Sequence, residues 1–198
     1  MFKIGVLISG GGSNLQAIID ACESGYIPDS RVAVVVSNKK DAYGLVRADK
    51  HKIPGIFLDR KEFPSSEEYF NKIADIMAEH DVRLVCLAGF LLMAHKSLIK
   101  KFKGRILNIH PALLPKFGGK GMYGHFVHES VIKAGEKESG PTVHFVDEIY
   151  DHGEIVLQKK VPVLPGDTPD ILAARVLSEE HKVFPEAVKI VVAKFNKG

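Results

Sequence analysis

The chain has 198 residues, 45% hydrophobic and 26% charged, with two cysteines. That length suits one domain, 1–198, able to bury a core without disulfides or metals, and the composition excludes disorder as the main state. No run approaches the ~20 apolar residues of a membrane span, and a net charge of +3 is too small an excess to point to nucleic acid.

The first elements alternate. Apolar runs at 3–8, 31–36, 55–58, 83–87 and 105–110 are short, rich in Val and Ile, and lack polar alternation. Such runs suit strands buried on both faces of a parallel sheet. Between the first two, Leu15, Ile18, Ile19 and Cys22 fall on one face of a helix that stops near Gly25. Helices are predicted over 43–51, over a stretch that opens with a capping box of Ser65 and Glu68, and over 96–102. This order predicts an open, doubly wound α/β sheet.

After His110 the texture changes. Residues 111–124 hold two prolines and four glycines and read as a long loop. A helix over 125–134, strands over 142–146 and 154–161, and two closing helices over 169–182 and 185–195 complete the expectation. Each closing helix opens with a proline, where a missing N–H costs nothing.

Three features carry chemistry. Ser9-Gly10-Gly11-Gly12-Ser13-Asn14 joins the first strand to the first helix, where unpaired N–H groups and the helix dipole favour an anion. It is no dinucleotide fingerprint, because Leu15 replaces the third glycine and the second strand ends in Ser37-Asn38. It lacks the Gly-Lys-Ser/Thr of a Walker loop, so a mononucleotide or sugar-phosphate cradle remains. Asn108 and His110 end the fifth strand on one side of its pleat, at the carboxyl edge where such sheets bind ligands. Asp147, Glu148 and Asp151 crowd a later turn; Asp151, just before His152-Gly153, is placed to face inward toward His110 and hold that ring's pKa up. His125 and His128 read as surface residues, not a zinc pair, because their spacing fits no metalloprotease motif.

Taken in order, Ser9–Gln16, 87–90 (Leu-Ala-Gly-Phe), 108–115 (Asn-Ile-His-Pro-Ala-Leu-Leu-Pro), 142–146 with Asp151, and Glu180-His181 with Pro185 resemble the folate-dependent glycinamide ribonucleotide formyltransferases, over nearly the whole chain. The resemblance implies a mostly parallel seven-stranded sheet with one antiparallel strand. It implies transfer of a formyl group from 10-formyltetrahydrofolate, a co-substrate, to the amine of glycinamide ribonucleotide in purine synthesis, with no metal. Asn108, His110 and Asp151 match the catalytic trio. Gly11, Gly12, Ser13 and Asn14 match the phosphate loop, and Glu180 a residue near the ribose and amine end. Leu91, Leu92, Met93, Val146, Asp147 and Glu148 match the wall around the folate. On this reading 1–110 is the ribonucleotide half and 111–198 carries the folate loop and the last helices. The partners are small molecules only, the location is cytoplasmic, and the chain is a monomer or homodimer. The alternatives are a formyltetrahydrofolate hydrolase, using water as acceptor, and a non-catalytic nucleotide-phosphate binding module.

Overall fold

The computed structural model describes residues 1–196. Strands β1 (Phe2–Ile8), β2 (Ser30–Ser37), β3 (Gly55–Phe57), β4 (Leu84–Leu87) and β5 (Ile106–His110) pair in parallel, with helices α1 (Ser13–Glu23), α2 (Tyr43–Lys50), α3 (Ser66–Glu79) and α4 (Lys96–Lys101) in the crossovers. The chain continues through α5 (His125–Lys133), β6 (Glu138–Ser139), β7 (Thr142–Phe145), β8 (Ile155–Gln158), β9 (Val161–Pro162) and α6 (Pro169–Phe195). The main sheet runs β3-β2-β1-β4-β5-β7-β8. Its β7 is antiparallel to both neighbours, so β8 points the same way as the first five strands. This is the expected seven-stranded, mostly parallel sheet with one antiparallel strand.

Both faces of the sheet are covered. Along β1, Ile4, Val6 and Ile8 face a core shared with Leu15, Ile18 and Ile19 of α1 and with Phe184 and Val188 of α6. Leu7 faces the opposite core, built with Tyr69, Phe70, Ile73 and Met77 of α3. Gly5 lies on that second side because a Cβ there would stand 2.2 Å from the Met77 sulfur, so a glycine lets α3 close onto the strand. The α3 cap forms as expected: the Ser65 hydroxyl accepts the Glu68 N–H at 3.1 Å. Strand order reverses at β1, with β2 on one side and β4 on the other. Connections leave that point in opposite directions, which opens a crevice at the carboxyl ends of the strands.

Two expectations fail. The closing helices are one helix of 27 residues, with Pro185 inside it and buried. Proline in a helix interior costs about 3 kcal/mol. On either side of it Val183, Phe184, Val188 and Val191 are buried in the α1-facing core. Each contributes about 1.5–3 kcal/mol by leaving water, so packing overrides the break. The strand expected over 154–161 is split. β8 ends at Gln158, and β9 pairs instead with β6 in a separate two-stranded sheet. Here the chain runs so close to Gly140 that a Cβ would collide with the Lys159 carbonyl. No described helix is long and apolar enough to cross a membrane.

Candidate functional site

Antiparallel pairing of β5 with β7 sets Asn108 opposite His144 and His110 opposite Thr142. Period-2 geometry puts these four side chains on one face at the end of the strands. His110 is buried, and its Nε2 lies 2.8 Å from the Phe117 carbonyl oxygen in the loop that follows. A carbonyl only accepts, so Nε2 carries a hydrogen and donates it.

Asp151 comes to this ring from the β7–β8 connection. Its Oδ2 stands 3.6 Å from His110 Nδ1, and its Oδ1 stands 3.5 Å from His144 Nε2. The same Oδ2 accepts the Gly119 N–H at 2.9 Å. Two glycines permit this approach. A Cβ on Gly118 would lie 2.7 Å from Leu114 Cδ2 and 3.1 Å from Asp151 Cβ, and one on Gly153 would strike the Phe145 carbonyl. Asp151 itself takes the left-handed conformation, φ 50°, which Asp tolerates better than most residues. Asp147 stays at the rim, bonding the Ile149 N–H and the His152 ring.

Charge in this pocket is set by opposing effects. Burial pushes the Asp151 carboxyl up, but the neighbouring His144 and His110 rings and the Gly119 N–H outweigh it and hold the carboxyl below its ordinary range. For His110 the expected direction is reversed. Burial lowers its pKa more than the Asp151 carboxylate and the Phe117 carbonyl raise it, so the net shift is downward. Asp151 does support the charged ring, but the loop folded over it keeps out the water that would stabilise the charge.

The glycine loop ends at Gly12, which caps α1 in the left-handed conformation, φ 68° and ψ 31°. A Cβ there would lie 2.6 Å from the Gly44 Cα at the start of α2. No side chain caps α1 and no acid lies in its first turn, so its leading N–H groups stay open to an anion. Arg47 adds a cation that sequence reasoning missed. Its Nε donates to the Gly11 carbonyl at 2.9 Å and its Nη1 to Gln16 at 3.2 Å. Ser13, Gln16, Arg47 and His181 line an open groove beside this turn. The only available clue to Arg47 was its place one turn after Gly44.

Asn14 and Glu180 meet. The Asn14 amide donates to Glu180 at 2.6 Å, and both side chains are buried. Burial pushes the Glu180 carboxyl up, more than the Asn14 bond lowers it. Asn14 therefore offers an anion its backbone, while its side chain turns toward α6. Across the crevice, the Leu91 N–H donates to Ser9 Oγ at 2.9 Å, which ties the segment after β4 to the end of β1. Leu91 and Met93 are exposed apolar surface, whereas Leu92 and Val146 pack against the α3-side core and Glu148 is exposed.

The surface reading of the histidine pair fails for His128. It is 4% exposed, and its Nδ1 has no partner. Burial, followed by neighbouring His125 and His110, pushes its pKa down to about 4. The sign follows directly. A histidine whose pKa is depressed by folding gives full stability above its unfolded value of about 6.5 and loses it as pH falls toward 4. Stability, and with it the unfolding midpoint, should therefore drop over that window, by at most roughly 3–4 kcal/mol from this residue. His128→Phe should flatten the denaturation-versus-pH curve; an unchanged slope would contradict the assignment. Among the described residues, Asp20, Glu23 and His51 bring three ligand-type atoms within 4.8 Å of one another. They already bond to Gln16 and to each other.

Residues 2–188 match the sequence profile of the family described as formyl transferase. The chain is 47% identical over 189 residues to phosphoribosylglycinamide formyltransferase of Haemophilus influenzae, covering 96% of this chain and 86% of that protein. It is 46% identical to the chloroplastic phosphoribosylglycinamide formyltransferase of Arabidopsis thaliana, covering 94% of this chain and 64% of the plant protein. Among solved structures, glycinamide ribonucleotide transformylase 1 of Symbiobacterium toebii superposes with a TM-score of 0.93 at 44% identity, covering 98% of this chain and 89% of that one.

Proposed function

The chain belongs to the formyl transferase family, and from that membership and the geometry of the crevice we propose that it is a phosphoribosylglycinamide formyltransferase of purine synthesis. It moves the formyl group of 10-formyltetrahydrofolate to the amine of glycinamide ribonucleotide. The observation that carries the reading is the convergence of Asn108, His110 and Asp151 at the carboxyl edge of the sheet, with Asp151 Oδ2 3.6 Å from the His110 ring. Residues 1–110 supply the cradle for the ribonucleotide, and later segments close the crevice around the folate.

The residues divide the work. Ser13, Asn14 and the glycines before them offer backbone N–H groups to the phosphate, with Arg47 alongside. Glu180, bonded to Asn14, stands where the ribose and amine enter. Exposed Leu91 and Met93, with the connection from Val146 through Asp147 and Glu148, give an apolar wall with a polar rim for the folate ring.

Bond formation between the amine nitrogen and the formyl carbon puts negative charge on the formyl oxygen. The Asn108 amide donates to that oxygen, the kind of preorganised donor that is usually the largest catalytic contribution. The amine must lose one proton, and N10 of the departing folate must gain one. His110, which burial keeps below its ordinary pKa, starts as the neutral ring and accepts the proton. The Asp151 carboxylate lowers the cost of that second ring proton until it passes to N10.

Supplying both substrates should give formylglycinamide ribonucleotide and tetrahydrofolate in equal amounts. Folate consumption with no formylated ribonucleotide would overturn the reading. Arg47→Ala should raise KM for the ribonucleotide about tenfold, the worth of one charged hydrogen bond, and leave KM for the folate within twofold. Equal effects on both constants would show that Arg47 only braces the loop.

A further inference from the structure

His144 is the crevice residue that the mechanism above leaves unused. It is 2% exposed and lies directly opposite Asn108 in the β5–β7 pair. Its Nδ1 is 2.8 Å from the Phe145 carbonyl oxygen. That oxygen only accepts, so Nδ1 carries the hydrogen and the Nε2 of the neutral ring is left as an acceptor. Nε2 faces the Asn108 amide at 3.1 Å and Asp151 Oδ1 at 3.5 Å.

The consequence falls on Asn108. An amide turned end for end keeps its shape but exchanges donor for acceptor. Unheld, Asn108 would present its oxygen to the developing oxyanion as readily as its nitrogen, and an oxygen there repels the charge. An acceptor at 3.1 Å removes that freedom, because only the NH2 end can bond to it. One N–H is used on Nε2, and the second hydrogen on the same nitrogen remains for substrate.

We propose that His144 is a positioning residue for formyl transfer: through Nε2 it holds the Asn108 amide with a donor, not an acceptor, available to the formyl oxygen. The proposal rests on Asn108 acting as the oxyanion donor. Its register partner does the holding, and the Phe145 carbonyl fixes the tautomer that allows it.

His144→Leu removes the acceptor and fills part of the ring's space. It should lower kcat about 10–100-fold, somewhat less than losing the donor itself, with both KM values within about twofold. His144→Gln, whose Oε1 can stand near the place of Nε2, should recover most of that loss. On an Asn108→Leu background, His144→Leu should add almost nothing, because two residues that act through one bond are not additive. The nitrogen-15 spectrum of ring-labelled protein should show a protonated Nδ1 and a bare Nε2 for His144. A folded His144→Leu protein with full kcat, an undiminished second loss on the Asn108→Leu background, or a protonated Nε2 would each overturn the proposal. If His144→Leu does not fold, the glutamine variant and the ring spectrum decide. Wild-type protein without transfer activity would overturn the proposed function, whereas an active wild type indifferent to His144→Leu overturns only this inference.

Discussion

Asp151→Asn should lower kcat by about 100-fold or more, the scale of positioned acid–base catalysis, while leaving KM for the ribonucleotide and the unfolding midpoint nearly unchanged. The substitution keeps the shape, and the new amide oxygen can still accept the Gly119 N–H that Asp151 Oδ2 now takes at 2.9 Å. It removes the charge that favours a protonated His110. Because Asp151 raises the His110 pKa against burial, its loss should move that pKa further down. The acid limb of the kcat/KM profile should therefore shift to lower pH as the plateau falls. Asp147 bonds His152 and the Ile149 N–H at the rim, so Asp147→Asn should change kcat by less than about threefold. A crippling Asp147→Asn beside a mild Asp151→Asn would mean that the wrong carboxylate has been assigned.

The largest loss is expected at Asn108. Asn108→Leu is close in volume and removes the amide donor, so kcat should fall about 10²–10³-fold with little change in either KM. Binding of ribonucleotide by calorimetry should match wild type, because the glycine loop proposed to hold its phosphate follows β1, two strands away from β5 in the sheet. A rise in KM with kcat preserved would move Asn108 from transition-state stabilisation to ground-state binding.

The sheet was legible because its strands are buried on both faces. Val32–Val36 and Leu84–Leu87 read as apolar runs, since no position on them meets water. Asp151 was legible from the chain that follows it: His152-Gly153 forces a return into β8, and Gly153 admits no Cβ. His144 was visible only as part of a motif. Its partner is 36 residues earlier and is fixed by antiparallel register, which no local pattern reports. Arg47 was missed for the same reason, since its bond to Gly11 bridges two crossovers. The direction of the His110 shift was misread because it depends on how completely residues 111–124 cover the ring. Pro185 was misread because local propensity marks a helix start, and only the buried face around it, Val183, Phe184 and Val188, keeps the helix going.

In the proposed reaction the crevice delivers the formyl group to an amine and withholds it from water. Its most direct test is the initial rate of tetrahydrofolate release, measured with saturating glycinamide ribonucleotide and again with none. Release should be at least about 100-fold faster with the amine present, because only a bound, oriented nucleophile gains the advantage of proximity. Equal rates with and without the amine would mark a hydrolase and contradict it.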